Sequence, residues 1–184
     1  MKNNICKFIP PHRSEDVINT INFVYETQAF HTEKMRINSV YSMNIVADGE
    51  GIFTLYGKQY KLKKGDMFFV FPSTPFEIVS VNNLNYIYIS YIAIRAGKIM
   101  EKLKITKTTP YYEGYEGLLE FWESALQMSH NGNIDMLSES VLLYTFSAMQ
   151  YNLADEEKQK ATTIKKTFWD INFSWLLVIL LALI

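Results

Sequence analysis

The stretch from Asp48 to Phe76 constrains the fold of this chain more than any other. It reads DGEG, a short strand, YGKQYKLKKGD, the apolar run MFFVF, then PSTPF. Asp48–Gly51 carries glycines that accept positive φ and predicts a turn. Gly57-Lys58 predicts the next tight turn, with Gln59–Leu62 as the return strand, and Lys63–Asp66 predicts another. Met67–Phe71 is continuously apolar, which predicts a strand covered on both faces. Pro72 and Pro75 bracket a corner. Short strands with turn chemistry at this spacing indicate a β-barrel or sandwich. A metal-binding barrel of this shape would carry His or Glu at its strand ends; here those positions hold Tyr, Asn and Phe.

The flanking segments extend the pattern. Residues 1–16 read as a polar N-terminal arm around Phe8-Ile9-Pro10-Pro11, where the Pro pair favours extended chain. VINTINFVYETQ (17–28) is rich in β-branched and aromatic residues and suits one or two strands. Met35–Ala47 reads as strand, as does Phe76–Val81. Asn82-Asn83 predicts a turn before a last long strand, Leu84–Ile94. The barrel thus spans 17–95. From 96 to 152 the period becomes helical: Gly97–Leu103, then about Glu113–Ser129 with Leu118, Leu119, Trp122, Ala125 and Leu126 as its apolar stripe. His130-Asn131-Gly132-Asn133 stops that helix. A second runs to about Asn152, with Met136, Leu137, Val141, Tyr144, Thr145 and Met149 as inward candidates. A short Gly-containing loop between two helices predicts an antiparallel hairpin. Residues 153–184 read as a polar linker followed by an apolar tail.

Composition excludes several functions. Hydrophobic residues make up 48% of the chain, enough for a sizeable core rather than a disordered chain. The net charge of −1 gives no concentrated basic face for nucleic acid. Cys6 is the single cysteine, so no internal disulfide forms, which suits a reducing cytoplasm. The first thirty residues show no apolar core of a secretory signal. The final run WLLVILLALI is ten residues long, short of the ~20 a membrane span needs, so no membrane partner is expected. The histidines are His12, His31 and His130, and none belongs to a His-x-His, His-Glu-x-x-His or comparable motif. Asp66, in its turn, reads as a structural residue bonded to local backbone. No catalytic residue, metal site or cofactor is expected.

The positive signal is aromatic. Tyr86, Tyr88 and Tyr91 lie on one strand, and strand alternation puts Tyr86 and Tyr88 on one face and Tyr91 on the other. Tyr rings in a barrel mouth can stack on a small molecule while their hydroxyls orient it; ordinary packing between sheet and helices is the competing reading. Arg36 would suit a carboxylate, a phosphate or sugar hydroxyls.

Arg36 through DGEG and LYGKQYKLKKGDMFFVFPSTPF resembles the effector-binding domain of AraC-type transcription regulators. The family pattern is a G-x-G hairpin, a Gly-Asp segment, a Pro-rich corner and often a His after it. Phe76 occupies that His position, so a metal-ligand reading fails. YIYISYIAI followed by Arg95-Ala96-Gly97 resembles the family's last barrel strand and the start of its helical part. The resemblance covers about residues 5–152. It implies a mainly β fold with α: a cupin-like jelly-roll barrel followed by a C-terminal helical hairpin. It also implies a small-molecule effector, for which the family pattern allows a sugar, with Arg36, Tyr41, Phe76, Ile78 and Tyr91 as pocket residues and Phe8 and Ile9 as a lid. Homodimerisation is implied through the helical pair, with Leu118, Leu119, Trp122 and Leu126 as its contacts. TIKKTFWDINFS resembles the first helix of the family's DNA-binding domain, whose two helix-turn-helix units would need roughly another hundred residues. The chain itself is therefore not expected to bind DNA, and its tail reads as a truncation, a frameshift or an anchor. The alternative is a metal-dependent cupin enzyme, such as a sugar isomerase or dioxygenase.

Overall fold

The protein is seen in a computed structural model that describes residues 5–8, 18–27, 35–92 and 94–152. The strands are β1 (Ile5–Phe8), β2 (Asn19–Glu26), β3 (Arg36–Ile37), β4 (Tyr41–Leu55), β5 (Lys58–Leu62), β6 (Met67–Val70), β7 (Pro75–Ile92) and β8 (Tyr111–Tyr112). Helix α1 is Ile94–Lys102, α2 is Leu119–Met128 after a 3₁₀ turn at Glu116–Leu118, and α3 occupies 134–152. The chain divides into two compact units, Met1–Phe146 and Ser147–Ile184. The first holds every described strand. Of the second, the helical residues 147–152 are described. The linker and tail expectations, with TIKKTFWDINFS, lie outside the described residues.

Two long strands organise the barrel. β4 and β7 pair antiparallel along nearly their whole lengths, and the pairing is interrupted by bulges where Asp48 and Glu50 face Asn82, Asn83 and Asn85. Beyond the bulges each strand changes neighbours. The C-terminal half of β7 and the N-terminal half of β4 sit in the order β1-β2-β7-β4-β6-β8. The opposite halves sit in the order β3-β7-β4-β5. Two sheets sharing two bent strands make the cupin jelly roll.

The bulge corrects two turn expectations. Asp48–Gly51 and Asn82-Asn83 do not reverse the chain; both lie inside continuous strands. Gly49 has φ +77°, and a Cβ there would collide with the carbonyls of Asn82 and Asn83. The glycine therefore serves a close backbone crossing at a bulge rather than a hairpin. The β4–β5 reversal is Tyr56-Gly57, one residue earlier than expected. Both residues have positive φ (50° and 73°), as a type I′ hairpin requires. Within the expected arm, Ile5–Phe8 is an edge strand on β2. β8, two residues on the edge of β6, is too short to show any period in the sequence.

Both faces of the larger sheet are buried. Thr20 and Phe23 of β2, Met43 and Ile45 of β4, and Ile87, Ile89 and Tyr91 of β7 point to the helices, the shift of parity in β2 following the register shift between Thr20 and Asn22. Phe23 meets Trp122 edge-on at 6.0 Å, and Tyr91 meets Phe146 at 6.4 Å. Leu118, Leu119, Ala125 and Leu126 are buried in this layer, and Trp122 and Val141 are fully buried. Two polar contacts reinforce it: Trp122 Nε1 donates to Thr145 Oγ1 at 2.9 Å, and the Thr20 and Ser138 hydroxyls meet at 2.7 Å. The alternate residues Asn22, Ser42, Asn44, Tyr86, Tyr88 and Ser90 face the barrel interior, as does Phe53 beyond the bulges, where the parity of β4 reverses. The apolar end of that interior is an aromatic cluster in which Phe68 lies 4.8 Å from Phe53 and 5.8 Å from Tyr86.

Candidate functional site

A cavity of about 330 Å³ opens into the barrel beside β3. Its position follows from strand register. Asn22 on β2 lies opposite Ser90 on β7, which lies opposite Ser42 on β4, which lies opposite Val70 on β6. Opposed residues share a face, so Asn22, Ser90 and Ser42 form a polar row across three strands. Asn44 and Tyr88 form the next row, and Glu26 and Tyr86 the one beyond. Ile21, Ile37, Val40, Val70, Phe76 and Ile78 supply the apolar wall.

The polar row is fixed by its own hydrogen bonds. Asn44 Nδ2 donates to the carbonyls of Phe68 at 2.9 Å and Ser42 at 3.3 Å. Carbonyls only accept, so the orientation of the amide is determined, and Asn44 Oδ1 accepts from Ser42 Oγ at 3.1 Å. Ser90 N–H donates to Asn22 Oδ1 at 3.2 Å. Asn44 is almost fully buried and Ser42 and Ser90 nearly so, and these bonds make that burial tolerable.

Charge is confined to the rim. Arg36 is exposed, while Tyr86 is buried. Burial pushes the Tyr86 phenol well above its usual value, the Glu26 carboxylate adds to this, and the Arg36 guanidinium, which hydrogen-bonds it, acts in the opposite sense. Tyr86 is therefore a neutral hydroxyl. The cupin fold can hold a metal ion, but these residues do not fit one. Among the described residues the cavity wall holds one carboxylate, Glu26, and no His or Cys, and no cluster of three or more His, Cys, Asp or Glu side chains is poised to bind a metal.

Of the five residues expected in the pocket, Arg36, Phe76 and Ile78 line this cavity. Tyr41 and Tyr91 do not. Tyr91 is fully buried on the helix side, stacks on Tyr41 at 5.6 Å, and donates its hydroxyl to Met100 Sδ at 3.1 Å. The alternation rule that separated Tyr91 from Tyr86 and Tyr88 puts Tyr91 outside the barrel. Phe8 ends β1 opposite cavity-lining Asn22; Ile9 lies outside the described residues. Leu118, Leu119, Trp122 and Leu126 are not a free surface, because they pack within their own chain. The exposed apolar residues of α2 and α3 include instead Phe121, Met128, Met136 and Tyr144, with Phe121 and Tyr144 rings 4.9 Å apart.

Tyr86 and Tyr88, which the sequence puts on one face, both line the cavity, whereas Asn22, Glu26, Ser42, Asn44 and Ser90 were not singled out from the sequence. The signal was a polar residue at every second position in YSMNIV and YIYISYI. A second hollow of about 510 Å³ lies along the β4–β5 hairpin, lined by Glu50, Lys61, Lys63, Val81, Tyr111 and Glu113 among others. Its Glu50, Lys61, Lys63, Val81 and Glu113 are exposed. The barrel cavity, with its converging buried polar groups, is the better binding site.

Residues 24–147 match the AraC-like ligand binding domain. The chain belongs to this family. Among curated proteins none matches the chain. Solved structures similar to it are distant. A predicted oxalate decarboxylase from Thermotoga maritima is 18% identical with a TM-score of 0.36, over 40% of this chain and 68% of that one. YhaK from Escherichia coli is 13% identical with a TM-score of 0.42, over 50% and 45% of the two chains. A salicylate 1,2-dioxygenase mutant from Pseudoaminobacter salicylatoxidans, in complex with gentisate, is 22% identical with a TM-score of 0.38, over 55% of this chain and 26% of the enzyme. The chain thus spans about a quarter of the dioxygenase's length. Among the described residues no helix is long and apolar enough to cross a membrane.

Proposed function

We propose that this domain is the sensor half of a cytoplasmic transcription regulator and is not an enzyme. It binds a small effector in the barrel cavity and passes the bound state to a separate DNA-binding domain. The observation that carries the reading is the buried polar row Asn22–Ser90–Ser42 with its own fixed hydrogen bonds, inside a barrel whose residues do not suit a metal. Polar groups kept at a cavity wall serve recognition, because a purely structural barrel would be filled by apolar side chains.

The arm supplies the switch. β1 joins the sheet beside β2, and its register brings Phe8 opposite Asn22. Effector binding shifts the population towards an arm-closed state if that state binds it more tightly. Homodimerisation, in this reading, uses the exposed apolar face of α2 and α3 around Phe121 and Tyr144. The test is thermal. An effector at a hundred times its Kd adds ~2.7 kcal/mol, or roughly 5–11 °C for a chain of this size. Ser90→Phe, which fills the cavity, abolishes that rise. A rise that survives Ser90→Phe unchanged refutes the site.

A further inference from the structure

We propose that Asp66, Tyr111 and Glu113 share one extra proton and form an acid-closed latch between the barrel and the segment leading into α2. This is separate from effector binding and gives the domain a second input. It starts from a hydrogen count. The Tyr111 hydroxyl lies 2.7 Å from Asp66 Oδ2 and 2.9 Å from Glu113 Oε1. A phenol has one hydrogen, and an ionised carboxylate has none to give. Two hydrogen bonds at one hydroxyl, each to a carboxyl group, therefore need a second hydrogen. Asp66 is its place. That side chain is fully buried, and its Oδ1 has no hydrogen-bond partner among the described residues, so the charged form would hold a bare buried oxygen. Glu113 is exposed, where water solvates a charge. The neutral Asp66 carboxyl donates to Tyr111 Oη, and Tyr111 donates to Glu113 Oε1. Asp66 Oδ2 still accepts the Lys63 N–H at 3.0 Å.

The surroundings agree. Burial pushes the Asp66 carboxyl up, Tyr111 and Lys63 oppose this, and Glu113 adds to it. Burial and the two carboxyl groups push the Tyr111 phenol up, so it keeps its hydrogen. The other charges nearby are Glu50, Lys61 and Lys63, which line the hollow beside Tyr111 and Glu113, and the Lys64–Glu116 pair at 3.3 Å. The Tyr60 ring lies 5.4 Å from that of Tyr111. The latch closes on a segment registered on the barrel. Tyr112 and Tyr111 pair with Met67 and Phe68, the Phe69 N–H donates to the Pro110 carbonyl at 2.8 Å, and the Tyr115 N–H donates to the Gly65 carbonyl at 2.9 Å. The 3₁₀ turn and α2 follow directly. When Asp66 releases its proton to water, one hydrogen remains for two carboxylates, and the bare Oδ1 needs hydration. Water reaches it when the 110–116 segment lifts from the Gly65-Asp66 turn.

The test is a pH titration of the full chain, carbon-labelled at its aspartate carboxyl groups and read by NMR, with Asp66→Asn identifying the Asp66 signal. The expected Asp66 midpoint lies above the ordinary value of about 4. Glu113→Gln supplies a hydrogen and removes a charge, and should lower that midpoint by about half a unit or more. With Tyr111→Phe already in place, the same substitution should shift it less, because the relay runs through the phenol. Amide exchange of Tyr115, compared between wild type and Asp66→Asn at each pH, reads the latch. Relative to the variant, wild-type exchange should speed up as pH rises, by about tenfold for each unit by which the midpoint exceeds the ordinary one. An Asp66 midpoint at or below the ordinary value overturns the shared proton. A Glu113→Gln shift of equal size with and without the Tyr111 hydroxyl overturns the relay. A Tyr115 exchange ratio that is flat with pH overturns the latch, and none of these results bears on effector binding in the barrel.

Discussion

Trp122→Phe separates the two roles open to the helical layer. Trp122 is fully buried, packs edge-on against Phe23 and donates to Thr145 Oγ1 at 2.9 Å. Thr145 is itself fully buried. Phe keeps one ring against Phe23 but strands the threonine hydroxyl, at a cost of about 1–3 kcal/mol. The missing part of the indole leaves a small cavity worth about 1 kcal/mol more. The sum, about 2–4 kcal/mol, is roughly 4–16 °C in melting temperature for a chain of this length. The hydroxyl part should be recoverable: adding Thr145→Val removes both partners, so the double variant should regain about 1–2 kcal/mol over Trp122→Phe. Urea denaturation of the four proteins of this cycle, with sedimentation velocity on each, is the assay. If Trp122→Phe leaves the urea midpoint unmoved and instead dissociates a dimer, Trp122 is an interface residue and the intrachain packing argument is wrong.

Further outcomes follow from the same structure. Gly49→Ala places a Cβ against the Asn82 and Asn83 carbonyls at a left-handed φ and should destabilise by about 1–3 kcal/mol or more, visible as a lower urea midpoint. Asn44→Ala removes the side-chain amide that bonds the Phe68 carbonyl and the Ser42 hydroxyl and should cost about 1–3 kcal/mol, with the melting temperature as the readout. Burial, the largest cause, pushes the Asp66 carboxyl up, and its bonds from Tyr111 and the Lys63 N–H only partly offset this. The folded protein therefore holds the proton more tightly than the unfolded chain. That contribution is full below the unfolded value, about 4, and is lost as pH rises through the folded one. Asp66→Asn, which cannot titrate, should gain stability relative to wild type as pH rises through this window; a difference that is flat with pH counts against the shift.

Turn chemistry made the barrel readable. Tyr56-Gly57 and the Gly65-Asp66 segment are local devices, and local devices survive in sequence. The bends at Gly49 and Asn83 were not readable as bulges, because a glycine for positive φ looks the same in a hairpin and in a bulge until the partner strand is known. The helical stripe of Leu118, Trp122 and Leu126 was legible as apolar, but an amphipathic pattern does not say whether it meets its own sheet or another chain. The site was obscured by a reversal of the usual rule. In most half-buried strands the polar face looks to water. Here Ser42, Asn44, Tyr88 and Ser90 look into the barrel, and apolar Met43, Ile45 and Ile89 look outwards to elements that cover them. Weighing aromatic size over parity favoured Tyr91; parity alone would have excluded it.

The central claim is that the effector sits inside the barrel. Methyl-resolved NMR of Ile- and Val-labelled protein, titrated with any ligand that raises the melting temperature, tests it most directly. Ile21, Ile37, Val40, Val70 and Ile78 line the cavity, whereas Ile89, Ile134 and Val141 are buried outside it. The account predicts saturable shifts at the first group and little change at the second. Shifts centred on Ile89, Ile134 and Val141, with Val70 and Ile78 silent, would place the ligand between sheet and helices and contradict it.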